Sequence, residues 1–186
     1  MEKLIRSTIC AVLFFALSLY VIPSSYSAQK SPEYKTALGQ MKIQKDTFKG
    51  ITWYQDKSSP KYRNSNGFYL YCGTKKGANT TLRFVIQYYG EDWLFIEKYL
   101  FNVDGDTYEI DPSYGDVEKD NDSNVWEWLD IKPGNSEVEL LRKIIKSKKA
   151  VMRIEGSKYV KDVTISTMQK KALGRVLTVY SGLGGQ

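Results

Sequence analysis

Residues 80–89 read TTLRFVIQYY, and the run carries two different faces. Leu82, Phe84, Ile86 and Tyr88 fall on one side of an extended chain, and Arg83, Val85 and Gln87 on the other. Successive side chains of a strand point to opposite faces, so this alternation predicts a strand with one packed side and one more exposed side. Upstream, Ile51 to Gln55 and Phe68 to Gly73 have the same aromatic and β-branched character between turn residues, and they read as strands too. Downstream, Gly90-Glu91-Asp92 turns the chain into a further run, Trp93 to Val103. Asp104-Gly105 is a two-residue hairpin signal between Phe101-Asn102-Val103 and Thr107-Tyr108-Glu109-Ile110. A polar loop from Asp111 to Asn124 leads to a last aromatic strand, Val125 to Ile131. Strands at this spacing, joined by tight turns, predict an antiparallel arrangement.

The period then changes. Val138, Leu141, Ile144 and Ile145 fall on one helical face behind a capping box, Ser136 with Glu139. Ala150 to Glu155 and Tyr159 to Thr164 return to strand character around Gly156. Ser166 with Gln169 makes a second capping box before a helix whose expected buried stripe is Met168, Ala172, Leu173, Val176, Leu177 and Tyr180. Gly182, Gly184 and Gly185 mark its end. The expected class is α+β: an antiparallel β-sheet or sandwich-like meander with two helices in the C-terminal half.

The N-terminus has another purpose. Lys3 and Arg6 precede an apolar run from Ile9 to Ile22, and Pro23 and small residues follow. That order is a secretory signal, with Ser25 and Ser27 suited to cleavage after Ser27. An uncleaved anchor is the alternative, although the run is short of the roughly 20 residues that a spanning helix needs. The expected organisation is a signal peptide at 1–27, a flexible arm or short leading helix at 28–45, and one β-rich domain at 46–186. Export implies a periplasmic or extracellular protein with no membrane span after cleavage.

Composition closes many functions. The chain has no histidine, so Ser-His-Asp and Cys-His nucleophilic systems and histidine-bearing metal sites are excluded. Cys10 leaves with the signal and Cys72 remains alone, so no intramolecular disulfide forms. Cys72 alternates with Phe68 and Leu70, which predicts a buried thiol, the alternative being a disulfide between chains. No Gly-rich phosphate loop is present, and no cofactor is expected. The formal net charge is +6. Lys143, Lys146, Lys148 and Lys149 concentrate it, joined by Arg153, Lys158 and Lys161. Such a patch attracts anionic glycans, lipid head groups or acidic proteins, or simply keeps a face solvated. No nucleic-acid motif accompanies it.

Two polar constellations and one aromatic set stand out. Glu97, Asp104, Glu127 and Asp130 lie in or beside aromatic strands, and a pair of such acids is what glycoside hydrolysis needs. Asp120, Asp122 and Asn124 begin as a calcium loop does, but Val125 and Ile131 stand where that loop needs Gly and Glu. An Asp/Asn-rich turn fits those residues better. Trp126 and Trp128 share one face of their strand and form either core or a flat binding platform. Trp53 and Tyr54 are a second aromatic candidate.

The segments Phe48–Tyr54, Trp93–Ile96 and Val125–Trp128, with the closing helix, resemble a family of uncharacterised exported bacterial β-rich proteins. The resemblance runs from about Asp46 to Gly184 and implies no activity. The functional expectation is a non-enzymatic binding or accessory protein of the bacterial cell envelope. It would meet an envelope protein or glycan through an aromatic sheet face. A carboxylate-dependent glycoside hydrolase acting on cell-wall glycan is the alternative.

Overall fold

The computed structural model describes residues 31–186. The expected signal peptide and its cleavage point lie outside the described residues. The chain runs through helix α1 (Pro32–Gly39) and strands β1 (Met41–Asp46), β2 (Ile51–Asp56), β3 (Gly67–Lys75) and β4 (Thr81–Gly90). Strands β5 (Ile96–Val103), β6 (Asp106–Ile110), β7 (Val117–Asn121) and β8 (Val125–Ile131) follow. Helix α2 (Asn135–Lys146), strands β9 (Ala150–Gly156) and β10 (Val160–Thr164) and helix α3 (Thr167–Gly182) complete it. The fold is α+β and β-rich, with two antiparallel sheets.

The six-stranded sheet has the order β1-β2-β3-β4-β8-β7, and the four-stranded sheet β10-β9-β5-β6. The chain therefore leaves the large sheet after β4, builds the centre of the small one, and returns for β7 and β8. The packed side of β4 is as expected, but the side expected to be more exposed is covered as well: Val85 is 0% and Gln87 2% exposed, and of that set only Arg83 stays half-buried. Leu82, Phe84 and Ile86 are at most 3% exposed, and register aligns Leu70 with Phe84 and Cys72 with Leu82. The small sheet lies against this face: Phe68 packs edge-on to Phe84, 5.3 Å between centroids, and 6.1 Å from Phe101 of β5. Met152, Ile154 and Tyr99 complete that layer. Burial of this apolar surface is the main stabilising term of the fold. Cys72 is fully buried, and that burial pushes its thiol up to about 12.

The helices cover the β2–β3 side of the same face, α3 against both strands and α1 and α2 against α3. Arg175 of α3 makes a bidentate pair with Asp56 of β2, at 2.6 and 3.0 Å. Asp56 is 2% exposed. Burial opposes its charge, but the hydrogen bonds from Arg175 and Ser58 win, so its carboxyl titrates below the ordinary value of 3.8. A depressed folded value stabilises the protein above the unfolded value and loses that contribution as pH falls through the folded one. Acid titration of the unfolding free energy should fall below about pH 4, and Asp56→Asn should flatten that fall. An unchanged acid slope in the variant would contradict the assignment.

Local signals meet the structure unevenly. Asp104 and Gly105 both have positive φ, 52° and 107°, as the two-residue hairpin requires. Ser166 and Gln169 bond reciprocally at the start of α3, at 2.9 and 3.2 Å. The cap of α2 differs from the one predicted. Glu137, not Glu139, reaches back, and it accepts from the amide of Gly134 rather than pairing with Ser136. The helix thus starts two residues earlier than predicted, with Gly134 as its N-cap and no side-chain cap of its own. Residues assigned to a leading arm form α1 and the edge strand β1, and the polar loop before Asn124 contains β7. Gly182 does more than end a helix, since a Cβ there would lie 2.1 Å from the ring of Tyr34. Among the described residues no helix is long and apolar enough to cross a membrane.

Candidate functional site

The second face of the large sheet faces away from the small sheet and the helices. Register places Trp53 and Gln55 of β2, Tyr69 and Tyr71 of β3, and Arg83 and Val85 of β4 on it, followed by Trp126, Trp128 and Asp130 of β8. A segment of irregular chain, residues 57–66, straps across this face. Gln55 Nε2 donates to the Pro60 carbonyl at 2.9 Å, and Gln87 Nε2 to that of Tyr62 at 3.4 Å. Asn66 exchanges bonds with the backbone of Tyr89, at 3.1 and 3.4 Å. Arg63 is the strap's anchor. Its Nη2 donates to Asp130 Oδ2 at 2.6 Å, its Nη1 to the Tyr69 hydroxyl at 3.3 Å, and its guanidinium lies 5.7 Å from the Trp128 ring centroid.

Asp130 is the hub. Its side chain is 8% exposed and accepts from Arg63, from Arg83 Nε at 2.9 Å and from the Tyr71 hydroxyl at 2.9 Å. Arg83 also donates to the Asp130 carbonyl. Burial, with the Asp130 charge and hydrogen bond, pushes the Tyr71 phenol up to about 12. Burial raises Tyr69 as well. The Tyr71 hydroxyl therefore stays protonated at physiological pH and donates to Asp130, whereas the Tyr69 hydroxyl accepts from Arg63.

Between strap and sheet lies a cleft of about 300 Å³. Trp53 is its aromatic wall. The Trp53 ring covers Gly73, where a Cβ would sit 2.5 Å from it, and it meets Tyr71 edge-on at 5.4 Å. Gln44, Gln55, Tyr62, Tyr69 and Tyr71 supply hydrogen-bonding groups around it. The volume lies at the small end of the range for ligand sites and suits one or two sugar rings.

The aromatic candidates divide by face. Trp126 and Trp128 lie on the outward face of β8, half-buried, and belong to a surface rather than to the core. Trp53 shares that face from β2, but register puts it level with Thr81 while Trp128 is level with Gln87, so it stands about 25 Å from Trp128 at about 4.8 Å per strand and about 3.3 Å per residue. Tyr54 is directed the other way and packs against the core. Adjacent residues of a strand take opposite faces, so Trp53 and Tyr54 do not act together. The residues of the strap carried no sequence signal, because their contacts all lie across the sheet.

The acids divide by face too. Glu127 and Asp130 are three residues apart on β8 and point to opposite sides of the sheet. Glu127 is 1% exposed and accepts three backbone amides, from Leu94 at 2.7 Å, Phe95 at 3.0 Å and Ile96 at 2.8 Å. Asp104 accepts the amides of Lys148 and Lys149, which holds the hairpin to the chain after α2. Glu97 lies exposed on β5. Glu127 and Asp130 therefore cannot flank one glycosidic bond. Asp122 accepts the Asn124 amide at 3.0 Å in the β7–β8 turn. Of the basic patch, Arg153 is taken up by a bidentate pair with Asp162, and Lys143 donates to the Tyr108 hydroxyl.

Comparison of the chain with protein-family models, curated proteins and solved structures finds no match.

Proposed function

We propose that the protein is an exported, non-enzymatic binding or accessory protein of the bacterial cell envelope, and that the strapped face of its large sheet binds a glycan. The observation that carries this reading is Trp53, a half-buried ring on the face the core does not use, set in a cleft edged by amide and phenol groups. Sugars offer an apolar C–H face and a rim of hydroxyls, so they favour a flat aromatic wall with hydrogen-bonding groups beside it. Trp126 and Trp128 extend the aromatic surface for a longer chain. Export rests on Lys3, Arg6 and the apolar run behind them. Glu127 and Asp130 point to opposite sides of the sheet, which favours binding over hydrolysis by that pair.

Co-sedimentation of the purified protein with insoluble cell-wall glycan tests the reading. Trp53→Ala should weaken retention about tenfold, a change of about 1.4 kcal/mol. Trp128→Ala should weaken it less, about threefold, because it lies outside the cleft. Retention of both variants at the level of the parent protein would remove the face from the proposal.

A further inference from the structure

The cleft is lopsided in charge. Lys42 of β1, Lys61 and Arg63 of the strap stand on its wall, and no carboxylate does. Beneath the strap, Asp130 is shared by Arg63 and Arg83. One carboxylate thus pairs with two of the four cationic side chains. Among the described residues Lys42 and Lys61 have no ion-pair partner, and the contact found for the Lys61 ammonium is with the Tyr62 ring, 4.8 Å from its centroid. A solvating surface mixes both signs. Here the positive groups gather around the one strapped cleft of the sheet, beside its aromatic wall.

We propose that this cleft takes a saccharide bearing an anionic group, a carboxylate or a phosphate, with its ring on Trp53 and its charge toward Lys42 and Lys61. The proposal rests on the glycan reading above and adds the ligand's charge to it. Arg63 is held by Asp130 and Tyr69, so it is pre-positioned and contributes a fixed positive field. The two lysines are free to close on the anion. Preorganised cations beside a sheltered ring favour an acidic sugar over its neutral counterpart by attraction that salt screens.

Isothermal titration with three forms of one glucose trisaccharide tests it: the neutral sugar, the same sugar oxidised at C6 to a glucuronate, and its 6-phosphate. At low salt at least one charged form should bind about tenfold or more tighter than the neutral form, and 0.5 M NaCl should narrow the gap. Which charged form binds better distinguishes a carboxylate source from a phosphate one. Lys42→Gln with Lys61→Gln should erase most of the preference while leaving neutral binding intact, and Trp53→Ala should weaken all three. Both lysines are exposed, so their variants fold. Equal affinity for charged and neutral forms would overturn the charge assignment and leave the glycan reading standing. A preference for charge that survives the double lysine variant would overturn its placement in the cleft. Failure of all three sugars to bind would overturn both.

Discussion

Glu127→Ala should lower the unfolding free energy by about 4 kcal/mol, a loss as large as truncating a buried core side chain. The reason is that one carboxylate satisfies three successive amides, those of Leu94, Phe95 and Ile96, where the chain passes from the large sheet into β5. Phe95 has φ of 54° there, a left-handed conformation that a bulky residue seldom adopts. The turn is held from its other side as well. Ser157 and Lys158 donate to the carbonyls of Phe95 and Leu94, and Gly156 lies so close that a Cβ would meet the Leu94 carbonyl oxygen at 2.0 Å. Alanine would leave three amides without an acceptor, those of Leu94 and Ile96 buried and that of Phe95 part-buried. Each orphaned buried group costs about 1–3 kcal/mol. With a urea slope of about 2 kcal/mol per molar, the midpoint should fall by about 2 M. Glu127→Gln keeps one acceptor oxygen and should lose roughly half as much. A midpoint within 0.3 M of the parent (about 0.6 kcal/mol at that slope) for Glu127→Ala would show that the carboxylate does not hold the sheets together.

Asp130→Ala should cost less stability, about 2 kcal/mol, and should disable the cleft. Breaking a fully buried ion pair by removing one partner costs about 3–5 kcal/mol. Arg63 and Arg83 keep side-chain exposures of 35% and 30%, so water takes up part of that cost. What the variant loses beyond stability is the anchor of the strap. Without Asp130, Arg63 keeps only the 3.3 Å contact with Tyr69 and the ring of Trp128. Limited trypsin digestion should then cut after Lys61 or Arg63 several-fold faster, and saccharide binding should weaken in parallel. Arg153→Ala is the control, because its pair with Asp162 is about half exposed on both sides and such pairs contribute at most about 1 kcal/mol. Equal digestion of Asp130→Ala and the parent protein would mean that Gln55, Gln87 and Asn66 suffice to hold the strap.

The patterns legible in the sequence are those that a residue makes with its own neighbours. The period of two in Leu82, Phe84 and Ile86, the Asp104-Gly105 hairpin and the Ser166–Gln169 box all arise within a few residues, and the structure contains each. Edge strands β1 and β7 escaped notice for a related reason. Their side chains are mostly exposed, so Lys42 to Lys45 and Glu118 to Asn121 show no apolar alternation, although their backbones complete the ladder. The same locality shows that Trp126 and Trp128 share a face, since both ends of that statement lie on one strand.

Tertiary structure alone decided which face that was. A strand's pattern does not tell which of two aromatic sides will meet a second sheet, and β8 carries Val125 and Leu129 on one side and two tryptophans on the other. The small sheet and the helices took the first side, so the tryptophans were left facing outward. The cleft depends still more on distance in sequence. Arg63 and Asp130 are 67 residues apart, and Arg83 is 47 from Asp130. An acid that is an ion-pair hub and an acid that is a catalyst look alike in a sequence. Only the partners brought to it by folding separate them: Glu127 acquired three amides and Asp130 two arginines, so each holds the fold where local pattern allowed either to act on a sugar.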